Sequence, residues 1–84
     1  MNNNLVIEKV IIITEQKIIF NDEATFVTSV NEMGKFDILP LHSNFMSSIS
    51  NYIIIGQTNG SRKKIKINNG ILRVKNNKVE VIFE

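Results

Sequence analysis

The chain has 84 residues, of which 43% are hydrophobic and 21% are charged, and its formal net charge is +2. A chain of this length has room for one hydrophobic core, and its balanced composition excludes an intrinsically disordered protein. It contains no cysteine, which excludes disulfide bonds, thiolate nucleophiles and thiolate metal sites.

β-Branched residues dominate the apolar part of the sequence. Isoleucine and valine together number 22, whereas alanine and leucine together number five. Branched side chains lose rotamer freedom in helices and pack well on a pleated sheet. No long stretch places apolar residues at helical spacing. The composition therefore predicts an all-β protein.

Short apolar runs separated by polar breaks predict the strands of the first half. Pro40 ends one of them, because proline cannot donate a hydrogen bond to a strand ladder. The predicted strands are Leu5–Ile13, Ile18–Phe20, a third strand with Ala24, Phe26, Thr28 and Val30 on one face, Phe36–Leu39 and Phe45–Ser50.

Asparagine-rich turns divide the second half, at Asn59-Gly60, Asn68–Gly70 and Asn76-Asn77. Asparagine and glycine adopt the positive φ that tight hairpin turns require. The strands predicted here are Tyr52–Gln57, Arg62–Ile67, Ile71–Lys75 and Lys78–Phe83. The whole chain, residues 1–84, is thus expected to form one flattened β-sandwich or barrel of about eight to ten short, mostly antiparallel strands.

The sequence contains no recognisable targeting or membrane-spanning segment. The first four residues lack the basic and apolar regions of a secretory signal. The longest apolar runs, such as Val10–Ile13, fall far short of the roughly 20 residues that a membrane helix needs.

No catalytic or metal-binding constellation is visible. His42 is the only histidine, and Asp22 and Glu23 are adjacent, so on a strand their carboxylates point to opposite faces. The serines have no nucleophile elbow around them, and the four glycines form no phosphate-binding loop. We therefore expect a protein that is not an enzyme and that has no cofactor and no metal site.

Positive charge is concentrated near the end of the chain. Residues 1–60 carry a net charge of −3, whereas residues 61–84 carry +5, with four basic residues in Arg62–Lys66. This segment is either a solvated strand face that protects an edge, or a patch for phosphates or an acidic protein surface. Binding of nucleic acid is an alternative, although Tyr52 is the one plausible stacking platform because the phenylalanines lie mostly at core-facing spacing.

The segment from Gly34 to Phe45 resembles a motif of the ATP synthase epsilon subunit family. In that motif a glycine turn leads into a short strand, G-x-F/L-G-I/V-L-P, which is followed by x-H-A-P. The residues that match it in order are Gly34, Phe36, Ile38, Leu39, Pro40 and His42.

The flanking segments resemble the same family in the same order. Residues 13–20 are similar to its first hairpin, residues 24–27 to its third strand, and residues 69–81 to its ending, G-G-x-L-x-V-x-x-N-x-V-x-V. The resemblance covers residues 6–83. Asp37 and Asn69 stand where the family has glycine, and Asn44 stands where it has proline. We expect the Asp37 carboxylate to face solvent or to meet a cation.

The resemblance implies a non-catalytic rotor subunit in the central stalk of a proton-translocating ATP synthase. It implies two partners, the gamma subunit and the membrane c-ring, and a peripheral location on the cytoplasmic face of a bacterial inner membrane. The residues implied for the c-ring contact are Asn31, Glu32, Met33, Gly34 and Lys35, and those for the gamma contact are His42, Ser43 and Phe45. The alternative interpretation is that these residues are ordinary solvated loop or core residues with no partner.

Members of this family continue into a C-terminal helical hairpin, which can inhibit ATP hydrolysis and in some members binds ATP. The sequence stops at Glu84, so we expect the hairpin and its functions to be absent. An alternative to the rotor role is a small β-sandwich binding module of unrelated function, which would use Arg62–Lys66 to bind nucleic acid.

Overall fold

The computed structural model describes residues 5–84, and β-strands are the only regular elements in that range. The strands are β1 (Ile7–Ile13), β2 (Ile18–Ala24), β3 (Phe26–Asn31), β4 (Gly34–Ile38), β5 (Phe45–Gly56), β6 (Arg62–Lys75) and β7 (Lys78–Phe83). They hydrogen-bond in the order β2-β1-β7-β6-β5-β3-β4. The β1–β7 pair is parallel, and the other pairs are antiparallel. The all-β prediction is confirmed.

The two long strands, β5 and β6, belong to both layers of the sandwich. The second half of β5 pairs with β3, and the second half of β6 pairs with β7. Between these halves Ser50 pairs with Asn69 and Asn51 pairs with Ile67, so Asn68 has no partner in the register. Such a bulge bends and twists a strand pair. The sheet therefore folds over itself, and strands of both halves bury side chains in one shared core without any helix to cover it.

The core is built from alternate residues of both layers. It consists of Ile7, Val10, Ile12, Ala24, Val27, Ile38, Ile49, Ile53, Ile55, Ile67, Leu72, Val74, Val79 and Val81. Burial of each branched side chain stabilises the fold by about 1.5–3 kcal/mol relative to exposure. Ser29 is also fully buried, and its hydroxyl donates to the carbonyl of Tyr52 at 2.8 Å. Among residues 5–84 no buried side-chain nitrogen or oxygen lacks a hydrogen-bond partner.

Two of the three predicted turns are present. Asn59-Gly60 lies in the connection from β5 to β6, where Gln57 donates to the Ser61 carbonyl at 2.8 Å. Asn76 and Asn77 connect β6 to β7, and both have positive φ, 52° and 61°. This is the backbone conformation that the asparagine pair predicted.

The predicted turn at Asn68–Gly70 is not present, because β6 runs through it. The bulge absorbs Asn68, and Asn51, with a φ of 72°, takes up the distortion on β5. The strands predicted at Phe45–Ser50 and Tyr52–Gln57 are therefore one strand, β5, and those predicted at Arg62–Ile67 and Ile71–Lys75 are one strand, β6. The described residues form seven strands rather than eight to ten.

The prediction that Ala24, Phe26, Thr28 and Val30 share one face of the third strand is not kept at Ala24, which is buried in the core. Val27 and Ser29 face the core, whereas Phe26 lies outside the core cluster. The physical reason is a bend at Thr25, whose backbone N–H donates to the Gly56 carbonyl at 2.7 Å. The alternation that begins at Ala24 is interrupted there. The other four phenylalanines pack against the core, as their spacing predicts.

Candidate functional site

The predicted c-ring contact forms an exposed hairpin turn between β3 and β4. Asn31 pairs with Gly34, which leaves Glu32 and Met33 at the tip, and the Met33 side chain is 93% exposed. The Asn31 carboxamide oxygen accepts the Met33 backbone N–H at 2.8 Å. Gly34 has a φ of 112°, which residues with a side chain rarely adopt. The backbone of this turn is therefore fixed, while its tip is open to a partner.

A side-chain hydrogen bond ties this turn to β5. The Asn31 amide donates to the Ser47 hydroxyl at 3.0 Å, and that hydroxyl donates to the Ser48 carbonyl at 2.8 Å. Lys35, the remaining residue of the predicted set, lies on β4 opposite Val30. The structure thus groups residues 31–34 at the turn and places Lys35 on a strand face.

The predicted gamma contact lies in the connection from β4 to β5 and at Phe45, the first residue of β5. His42 is half-buried, and its Nδ1 lies 2.7 Å from the Ser43 carbonyl, so Nδ1 carries the donated hydrogen. Its ring meets Phe45 edge to face at a centroid distance of 5.7 Å, and Phe45 meets Phe36 in the same way at 5.5 Å. The three predicted residues are therefore neighbours, and Ser43 is exposed.

The turn between β6 and β7 holds this loop. Leu41 has a φ of 65°, an unfavourable conformation for leucine, and its N–H donates to the Asn77 carboxamide oxygen at 2.8 Å. A longer bond, 3.4 Å, joins the Asn76 N–H to the Asn44 carboxamide oxygen. Asn77 therefore positions the loop, a role that the sequence did not reveal because the bonded residues are far apart in the chain.

Asp37, the unexpected charged residue of the motif, has simple surroundings. Asp37 is exposed, and its carboxylate accepts the Thr28 hydroxyl at 2.6 Å. In the described part of the chain, the ion pairs are Arg73–Glu80 at 2.7 Å and Lys78–Glu8 at 3.8 Å. Of the two expectations for Asp37, the structure therefore supports exposure to solvent.

Exposed apolar side chains flank the predicted contacts, and the sequence did not indicate that they would be exposed. Leu39 and Leu41 are 56% and 66% exposed in the loop that carries His42. Ile71 and Ile82 face each other across β6 and β7 and are similarly exposed. Clustered apolar exposure is typical of protein contact surfaces. Only the strand register could reveal the isoleucine pair, because 10 residues of intervening sequence separate its members.

The described residues contain neither a cluster of metal-ligand side chains nor a membrane-spanning helix. Within residues 5–84, no group of three or more histidine, cysteine, aspartate or glutamate residues is placed to hold a metal ion. This range also contains no helix of the length and apolarity needed to cross a membrane. What the site does present is a set of fixed turns with exposed tips.

Comparison with known proteins identifies the family. Residues 8–84 match the family described as "ATP synthase, Delta/Epsilon chain, beta-sandwich domain". The chain belongs to this family. The match includes every strand except the first residue of β1, and it includes both predicted contact regions.

Curated relatives from two bacteria carry the name ATP synthase epsilon chain. The Aliarcobacter butzleri protein is 34% identical over 76 residues, which cover 90% of this chain and 61% of the relative. The Carboxydothermus hydrogenoformans protein is 31% identical over 74 residues, which cover 88% of this chain and 55% of the relative. The chain therefore spans little more than half the length of these relatives.

Solved structures of mitochondrial ATP synthases contain the same fold. A chain in the Euglena gracilis enzyme, in a structure that includes the c-ring, superposes with a TM-score of 0.84 at 13% identity. That superposition covers 99% of this chain and 52% of the other. A chain in the central stalk and c-ring of the Tetrahymena thermophila enzyme gives a TM-score of 0.78 at 15% identity, with coverages of 89% and 61%.

Proposed function

We propose that this chain is a non-catalytic rotor subunit of a proton-translocating ATP synthase, which joins the gamma subunit to the membrane c-ring. The observation that carries the proposal is the family match along residues 8–84. Catalysis takes place in other subunits, and this chain transmits torque to them. It lies on the cytoplasmic face of the bacterial inner membrane and is held there through the complex.

The β3–β4 turn is the proposed c-ring contact. Its tip carries a carboxylate, Glu32, and an almost fully exposed thioether, Met33. Because Asn31 and Gly34 fix the backbone, little conformational entropy is lost when the tip binds. Such a turn is suited to contact a polar loop of the c-ring at the membrane surface.

The loop with His42, Ser43 and Phe45 is the proposed gamma contact. The histidine and phenylalanine rings form an aromatic surface whose inner side rests on Phe36. Leu41 adds exposed apolar area beside it. Aromatic anchors with apolar neighbours dominate the binding energy of protein interfaces.

A rigid connection between the two contacts supports a mechanical role. The turn is bonded to β5 through Asn31 and Ser47, and β5 begins at Phe45. β5 is also paired along its length with β6, so displacement of one contact displaces the other. Transmission of torque requires this stiffness and requires no catalytic group.

Co-purification tests the gamma contact. We expect the tagged chain, co-expressed with its cognate gamma subunit, to retain gamma on the affinity column. Ser43→Arg places a bulky charge on the exposed loop and should weaken retention about tenfold, equivalent to about 1.4 kcal/mol. Thr58→Arg, in the exposed β5–β6 connection, is the matched control and should have no effect. Failure of the unmodified chain to retain gamma would contradict the proposal.

Inverted membrane vesicles test the coupling role. Deletion of the subunit should abolish ATP-driven proton pumping, while ATP hydrolysis by the soluble sector remains. Met33→Glu at the turn tip should reduce pumping at unchanged hydrolysis, and Thr58→Glu should leave both unchanged. Full pumping in the deletion strain would be incompatible with a rotor subunit.

A further inference from the structure

The basic segment of β6 belongs to a surface that neither proposed contact explains. On the outer face of the layer formed by β4, β3, the second half of β5 and the first half of β6, one cross-strand row contains Phe26, Gly56 and Arg62. The next rows contain Ile54 opposite Lys64, and Tyr52 opposite Lys66. We name this surface the aromatic–basic face, and its members are Phe26, Tyr52, Ile54, Arg62, Lys64 and Lys66.

Cations on this face rest on aromatic rings rather than on carboxylates. The Arg62 guanidinium lies 5.6 Å from the centre of the Phe26 ring, and the Lys64 ammonium lies 4.9 Å from the centre of the Tyr52 ring. Neither cation takes part in an ion pair within residues 5–84. A cation held over a ring is oriented in advance and keeps its charge available to a partner.

The spacing of the cations matches that of an extended chain. Arg62, Lys64 and Lys66 alternate along β6, which places successive side chains about 6.8 Å apart on one face. Carboxylates at alternate positions of an extended peptide have the same spacing. A peptide lying along β6 can therefore meet the cations one by one.

A depression of 290 Å³ with a mixed polar and apolar lining adjoins the cations. Its apolar lining comes from Phe26, Leu39 and Ile54, and Arg62 and Lys35 stand at its border. Asp37 also lines it, but its carboxylate already accepts the Thr28 hydroxyl. A single aliphatic side chain fits this depression, with acidic neighbours directed towards the basic border.

We propose that the aromatic–basic face binds an extended acidic segment of a partner protein, with one apolar side chain of that segment seated in the depression. The arrangement argues against nucleic acid, because base stacking requires an open aromatic face. Phe26 has Arg62 on its ring and fills the space above Gly56, and Lys64 covers Tyr52. Charge complementarity with carboxylates needs no open ring.

Fluorescence anisotropy with a labelled ESESLSESE peptide tests the proposal. We expect saturable binding that weakens as salt is raised, since exposed charges are screened. Replacement of the central leucine by serine should weaken binding because the depression then stays empty. Lys64→Glu should weaken binding about tenfold, as expected for loss of a charge-assisted contact.

Lys63→Glu is the matched control. It changes the net charge by the same amount on the adjacent residue, but Lys63 pairs with core-facing Ile55 and so lies on the other side of β6. We expect less than about a twofold effect, since the two sides do not share the ligand. Both lysines are exposed, and thermal unfolding of each variant confirms that it folds.

Three results would overturn the proposal. The first is an absence of saturable peptide binding. The second is an equal loss in the Lys63 and Lys64 variants, which would show attraction by net charge alone. The third is tighter binding of a labelled oligo-dT, abolished by Lys64→Glu, which would assign the face to nucleic acid.

Discussion

Gly56 and Phe26 form a tightly fitted pair at the scale of single residues. They lie opposite each other on β5 and β3, and Gly56 is buried. A Cβ atom on Gly56 would overlap the Phe26 ring and would lie 2.7 Å from the Thr25 hydroxyl. The ring therefore fills the space that a side chain at position 56 would need. Position 56 tolerates only glycine while Phe26 keeps its place.

Gly56→Ala should lower the free energy of unfolding by about 1–3 kcal/mol, the usual cost of overpacking. In a Phe26→Ala background the same substitution should cost clearly less, because the obstructing ring is gone. Urea denaturation of the four proteins completes a double-mutant cycle. Equal costs in the two backgrounds would show that the ring is not the cause.

The β6–β7 turn organises one end of the sandwich at the scale of elements. The Asn77 amide donates to the Val6 carbonyl at 2.9 Å, and its carboxamide oxygen accepts the Leu41 N–H. The Asn77 backbone carbonyl accepts the Glu8 N–H at 2.9 Å. One side chain thus fixes the start of the first strand and the loop that carries His42.

Asn77→Ala should lower the free energy of unfolding by about 2–4 kcal/mol. The loss combines two side-chain hydrogen bonds with the strain of alanine at positive φ. Asn76→Ala provides the control, because Asn76 has a similar φ of 52° but bonds here only through its backbone. We expect about 1 kcal/mol for that variant. Urea titrations compare the two, and equal losses would exclude a special role for the Asn77 side chain.

The basic part of β6 is a strand edge. Residues 62–67 and Asn69 pair with β5 on one side, whereas β7 pairs only with Gly70–Lys75. Charged side chains on an edge discourage pairing between copies of a protein. Protection of this edge and the proposed binding of an acidic segment are compatible, because the positive side chains repel the same edge of a second copy and attract an acidic peptide.

The two-layer arrangement is decided at the scale of the whole molecule. Parallel pairing of β1 with β7 joins the two ends of the described chain, and Ile12 lies opposite Val81 with both side chains fully buried. A small domain has a total stability of only about 5–15 kcal/mol. A single core residue can therefore contribute a large fraction of the total free energy of unfolding.

Ile12→Ala should cost about 2–5 kcal/mol, because it leaves a cavity between the layers. Ile18→Ala makes the same chemical change on edge strand β2, where the side chain is 58% exposed, and should cost less than half as much. Thermal unfolding ranks the two variants against the unmodified chain. A similar loss in both would contradict the packing described above.

The sequence alone determined the features that depend on neighbouring residues. The all-β class follows from branched side chains, and the Asn76-Asn77 turn from the φ angles that asparagine tolerates. The alternation of Lys64 and Lys66 with Ile65 and Ile67 follows from the period of a strand. The predicted contact residues His42 and Phe45 are neighbours in the structure because they are close in the sequence.

Only the tertiary structure decided the features that join distant residues. Asn68–Gly70 looks like a turn but continues as a strand, because β5 offers an unbroken partner and a bulge absorbs the extra residue. The bend at Thr25, held by a bond to Gly56, separates Ala24 from the face that it was expected to share with Phe26. Leu41 and Asn77 meet across 36 positions of sequence. The conformational preferences of neighbouring residues cannot specify such contacts, because these contacts form and stabilise the protein only after the sheet has folded over its core.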